Sequence, residues 1–166
     1  RSVTDLAPIA ITDEVDAWRG SPEMREAARR TVEVNVPSDR LPWDLSFGIL
    51  ARLRMGDRDY ARMALELLPK CREGGNHERR DGADFVANSI LPRDGQHDFI
   101  VDKGSAYLSE VINEMLLQSQ GGIIRLFPAY PFDLGDAAFF SLRARGAFLV
   151  SAECRDGEVA YGIIRS

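Results

Sequence analysis

Two cysteines and two histidines are all that this 166-residue chain holds of the residue types that staple small domains and build most metal sites. Two thiols are too few for a disulfide framework, and Cys71 and Cys154 read as free thiols. His77 and His97 lie far apart, and Cys71 is not at ligand spacing with either. With no H-x-x-x-H pair, no metal site and no cofactor is expected. Basic excess is missing as well. Lysine and arginine total 21 against 26 acidic residues, a net charge of −5. Such a surface offers little to phosphate backbones, so nucleic acid is not an expected partner. No apolar run approaches the ~20 residues that a membrane-crossing helix needs, and no membrane partner is expected. Residues Arg1 to Asp5 carry no apolar signal-peptide core and there is no initiator Met, which reads as a processed or excised segment. Nucleotide and acyl-transfer fingerprints (P-loop, G-x-G-x-x-G, G-x-S-x-G) do not occur.

What remains is a chain with 45% hydrophobic residues, enough for one domain or two small ones with a real core. Residues Arg1 to Gly20 are ambiguous between strand and short helix. Ser21-Pro22 then reads as an N-cap followed by proline at the first helical position. Met24, Ala27, Ala28, Thr31 and Val32 continue at helical spacing, with a narrow apolar stripe suited to an outer surface. After the proline-containing linker Asn35 to Pro42, a second helix runs from Trp43 to Met55. Its apolar residues go most of the way round, which implies burial on several sides. Gly56 is placed to end it and Asp57 to cap a third helix, where Tyr60, Met63, Ala64, Leu67 and Leu68 form one stripe. Together these predict an αα-hairpin turning at Gly56-Asp57. Cys71 to Gly104 shows no convincing element, apart from a possible short strand at Phe85 to Leu91.

A fourth helix is expected from Ser105 to Gln118, ended by Gly121-Gly122. Ile123 to Phe127 follows as a strand. Phe140 to Glu153 and Glu158 to Ile164 read as two strands about Asp156-Gly157, a two-residue hairpin signal. That turn predicts Val150 opposite Ile163, Ala152 opposite Tyr161 and Cys154 opposite Val159, all on one apolar face. Helices followed by antiparallel strands make an α+β chain, divided into a helical segment 1–120 and a β segment 121–166.

Several stretches resemble family 95 glycoside hydrolases, the α-L-fucosidase family. The most specific is EMLLQS-x-GG-IIRL-P with the later SLRARGAF-V. The run WDLSFGILARLRMGDRDYARMALELL, and within it ARL-x-x-GDR-x-Y, adds a second match in the right order along the chain. The resemblance implies the last helices of a barrel of six helical hairpins, a partial (α/α)6 toroid, joined to the start of a C-terminal β-domain. It also implies a secreted or periplasmic inverting glycosidase with a carbohydrate substrate. The resemblance makes the missing N-terminal part of the parent the expected partner, and exposed apolar helix sides, which drive association, would make a second copy of the chain the other.

By the same resemblance, Asp102 in FIVDKG corresponds to the family's general base. An inverting reaction places such a base about 6.5–9.5 Å from a general acid, and no acid in this chain matches that partner. An aspartate just before a helix is equally suited to simple capping. The family continues D-G-N-F-G-G, whereas this chain has Asp102-Lys103-Gly104-Ser105-Ala106, so the glycine-rich approach to the sugar is altered. Trp43 is the candidate substrate-stacking platform, or else a core tryptophan. A lone carboxylate cannot activate water and protonate a leaving group at once, so the chain alone is expected to be inactive. The alternative is a non-catalytic interaction or carbohydrate-binding module. The shortage of helices is expected to leave apolar sides of the Trp43–Met55 and Ser105–Gln118 helices exposed.

Overall fold

Helix-start and helix-stop chemistry organises the first half of the chain. The computed structural model describes residues 3–12, 14–35, 42–63, 65, 90–93, 96–101 and 103–166, with side chains at 5–12, 14–35, 48–63, 65 and 109–166. A 3-10 turn, Val3–Leu6, runs into a one-turn helix α1, Ala7–Ala10, so the first part of the ambiguous N-terminal stretch is helical, and the described residues from 11 to 20 are turns, bends and irregular backbone. Helix α2, Pro22–Val34, starts where Ser21 accepts a hydrogen bond from the Met24 amide. It buries only Ala28 and Val32, the narrow stripe that its sequence predicts. Helix α3, Pro42–Arg54, is buried at every residue from Gly48 to Arg54.

Gly56 ends α3 with a left-handed φ of 78°. The Gly56 amide donates to Leu53 O at 3.0 Å and the Asp57 amide to Arg52 O at 2.9 Å. This double closure satisfies the last carbonyls of the helix. Asp57 Oδ1 then accepts from the Tyr60 amide and starts α4, residues 58–63. The predicted turn is therefore present, with its cap.

Strands β1, Ile90–Arg93, and β2, Gln96–Val101, pair antiparallel, with Arg93 opposite Gln96. This corrects the reading of 71–104 as lacking a convincing element. In the sequence, the Asp94-Gly95 dipeptide carries the same hairpin signal as residues 156–157. Helix α5, Lys103–Leu116, begins before Ser105 and ends earlier than expected. Leu117–Gln118, strand β3, instead pairs with β4, Arg125–Leu126, around Gly121 and Gly122, both at positive φ.

The expected long strand at 140–153 is in fact two strands. β5, Ala137–Arg143, and β6, Leu149–Arg155, flank a turn in which Gly146 and Ala147 take positive φ, and β7, Glu158–Arg165, completes a meander. Arg145 belongs to the turn and not to a strand. The β6–β7 turn is at Asp156-Gly157 as predicted, and Cys154 does face Val159. Beyond that pair the register shifts by one, so Ala152 faces Gly162 and Val150 faces Ile164. Ala160 is the extra residue of a bulge. The shift places Gly162 beneath Leu126, whose Cδ1 would lie 2.7 Å from any Cβ at that position. A tertiary contact thus accompanies a register that the turn alone does not specify.

The buried residues fall into two clusters. One joins Leu6, Ile9, Val15, Val32, Ile49, Leu50, Leu53, Val111 and Met115. The other joins Leu117, Phe127, Phe139, Val150, Ala152 and Cys154. The chain is α+β, with the β1–β2 hairpin placed before the last helix and the other antiparallel strands after it.

Candidate functional site

Asp102 lies outside the described residues. The flanking residues Val101 and Lys103 end β2 and open α5. Trp43 lies in the first turn of α3, and its side chain is outside the described set. The surroundings that can be described centre on the far end of α5.

There a charged network is buried between helices. Arg54 closes α3, where its guanidinium has five donors to satisfy. Its Nη2 lies 3.1 Å from Glu114 Oε1, its Nε donates to Oε2 at 3.4 Å, and Nη1 donates to Ile9 O at 3.2 Å. Gln120 Nε2 donates to the same Glu114 Oε1 at 2.7 Å. Gln118 Nε2 donates to Leu53 O and Glu114 O. Side-chain exposure is only 6% for Arg54 and 11% for Glu114. Burial of an ion pair is tolerated when hydrogen bonds engage both partners, and that condition is met. The network ties α1, α3, α5 and the β3 turn together. Its chemistry is that of a clamp, because the Glu114 carboxylate is occupied on both oxygens.

Three of these side chains, Glu114, Gln118 and Gln120, belong to the EMLLQSQGG run. The most specific part of the resemblance therefore has a packing role here. One turn earlier on the same helix, the Glu110 carboxyl is pushed above the ordinary carboxylate range. Partial desolvation is the main cause, the Glu114 charge adds to it and Arg54 opposes it. A raised carboxyl suits a general acid. Glu110 nevertheless stands seven residues beyond Lys103, about 10 Å of helix rise, too far along the axis to share one anomeric centre with a group at the helix start. No spacing in the sequence signals this shift, because its main cause is desolvation and the Arg54 charge opposes it more strongly than the Glu114 charge adds to it.

Two smaller polar clusters are structural in geometry. Asp16 Oδ1 accepts from the Trp18 and Arg19 amides at 2.8 Å, and Oδ2 lies 3.2 Å from Arg19 Nε. Arg125 covers one face of the exposed Trp18 ring at 4.9 Å. Arg52 stacks on Tyr60 at 3.7 Å, meets Asp57 at 3.2 Å and donates to Val32 O. Trp18 is an exposed aromatic that the sequence reading passed over in favour of Trp43. A groove of about 230 Å³ between α1 and α2 is lined by Ile9, Val15, Met24 and Ala28, with Asp5 and Glu14 also along it. It is smaller than the usual small-molecule site of roughly 300–1,000 Å³. Among the described residues no three potential metal ligands cluster, and no helix is long and apolar enough to cross a membrane.

No family model matches the chain, and no curated protein matches it.

Proposed function

We propose that the chain is part of an inverting glycosidase resembling the family 95 α-L-fucosidases, inactive by itself, with Asp102 as general base and Trp43 as a stacking platform. One observation carries the reading. The helix α5, the Gly121-Gly122 turn and strand β4 follow one another along EMLLQS-x-GG-IIRL, the order of elements that the resemblance implies. Asp102 directly precedes this helix in sequence, where a carboxylate gains from unpaired amides and the helix dipole. The general acid and most of the pocket wall would come from the rest of the parent protein. The substrate would be a terminal α-L-fucoside or a related sugar.

The test is hydrolysis of an aryl α-L-fucoside. The chain alone should release no aryl alcohol, and the product of an extended reading frame should release it. Replacing Asp102→Asn in that longer protein should lower turnover by about 10²–10⁴-fold, the usual contribution of a general base. Turnover by the isolated chain, or unchanged turnover by the variant, would overturn the reading.

A second reading, an interaction module, is favoured by one specific feature: all eight residues of β7 are exposed.

A further inference from the structure

Strand β7 is the outer strand of the β5–β6–β7 sheet, and among the described residues no strand pairs with its free edge. Four of its apolar side chains are open to solvent: Val159 at 46%, Tyr161 at 37%, Ile163 at 46% and Ile164 at 56%. Edge strands that must stay single are usually blunted by charge, proline or a short length. This one has eight residues, no proline, and charges only at its ends, Glu158 and Arg165. Neither end charge has an ion-pair partner among the described residues.

The bulge at Ala160 decides which side chains share a face. Glu158, Tyr161, Ile163 and Arg165 stand opposite Arg155, Glu153, Ser151 and Leu149 of β6. Those four alternate positions lie on one side of the sheet. Val159, Gly162 and Ile164 stand opposite Cys154, Ala152 and Val150, on the other. Without the bulge, Glu158 and Arg165, seven positions apart, would fall on opposite faces. With it they share a face, and Gly162 becomes the midpoint of the strand.

We infer that β7 pairs antiparallel with β7 of a second copy of this chain, about a two-fold axis through Gly162. The pairing follows from that midpoint. Glu158 faces the second copy's Arg165, and Arg165 faces its Glu158. Tyr161 faces Ile163 on the same side, with both ends of the apolar row closed by opposite charges. Val159 faces Ile164 on the core side, and Gly162 faces its own counterpart. Opposite charges and aromatic–β-branched pairs are the favourable cross-strand combinations, and like charges directly opposite are unfavourable. A parallel pairing in the same alignment would set Glu158 against Glu158 and Arg165 against Arg165, so the charges select the antiparallel arrangement. The result is a continuous six-stranded sheet with an isologous interface. The inference stands on strand geometry and does not depend on the glycosidase reading, which is tested by hydrolysis.

Sedimentation equilibrium on the whole chain tests it with three variants. The unaltered chain should show a concentration-dependent monomer–dimer equilibrium. Glu158→Arg and Arg165→Glu, each creating two like-charge contacts, should each weaken the dimer about tenfold or more, since each reversal turns two attractive cross-strand pairs repulsive. The double swap, Glu158→Arg with Arg165→Glu, should restore it. Both sites are exposed, and an unchanged far-ultraviolet circular dichroism spectrum will show that the variants fold. A strictly monomeric chain would overturn the inference. So would single reversals that leave the dimer intact, or a double swap that fails to rescue it. A monomeric extended protein in which a following segment protects β7 from hydrogen exchange would assign the edge to that segment and equally overturn it.

Discussion

Helix α3 and strand β7 carry similar apolar content in opposite settings. From Gly48 to Arg54, α3 is buried at every residue, two arginines included. Every residue of β7 is exposed, its isoleucines included. The difference is not one of side-chain chemistry. Helix α3 packs against α1, α2 and α5, whereas β7 is hydrogen-bonded to β6 alone and is overlaid at one point by Leu126. Arg54 goes inside where acceptors are held ready for it, and Ile163 and Ile164 stay outside where no neighbour covers them. The sequence led to the reverse expectation, open apolar sides on the α3 and α5 helices. In the described part of α3 those sides are closed, and along the described part of α5 Val111 and Met115 are buried. Among the described residues, β7 leaves four large apolar side chains open along one strand, Val159, Tyr161, Ile163 and Ile164.

The sharpest way to break this contrast is to remove one partner of the buried pair. Arg54→Met strands Glu114 inside the protein and should cost about 3–5 kcal/mol of stability. Adding Glu114→Leu should recover more than half of that loss, because the uncompensated charge is gone. Urea unfolding of both variants measures the difference. A single variant as stable as the parent would mean that the network does not close the helical half. A smaller effect sharpens the comparison at the end of α3. Gly56→Ala has space for its methyl, the nearest atom being 3.8 Å away, but not the backbone freedom, since φ is +78°. It should cost about 1–2 kcal/mol, the usual penalty for a left-handed non-glycine residue. No change in the urea midpoint would argue against strain at that turn.

Local chemistry was legible in the sequence and tertiary choices were not. Ser21-Pro22, Gly56-Asp57 and Asp156-Gly157 each name a specific cap or turn, and each forms where its residues say. The β7 register was misread beyond Cys154 because the bulge at Ala160 goes with Leu126 lying over Gly162, two residues far apart in the chain. The turn at 144–148 was missed because its positive-φ positions include Ala147, a residue that does not advertise a turn. The hairpin at 90–101 carries an Asp-Gly signal, but Pro92 and the repeated glycine-containing turn signals of 71–104 make the stretch read as loop. The Arg54–Glu114 pair joins residues sixty positions apart. Each looks, in sequence, like part of a solvated helix face. The proposed site residues Asp102 and Trp43 came from resemblance, and their side chains lie outside the described set.

The contrast between the closed end of helix α3 and the open edge of strand β7 meets its most direct test in hydrogen exchange at two protein concentrations. The account predicts that the 158–165 peptide gains protection when the chain is concentrated from dilute monomer, while the 48–54 peptide of α3 is equally slow at both concentrations. A 158–165 peptide whose exchange is the same at both concentrations, whether fast or slow, would contradict it.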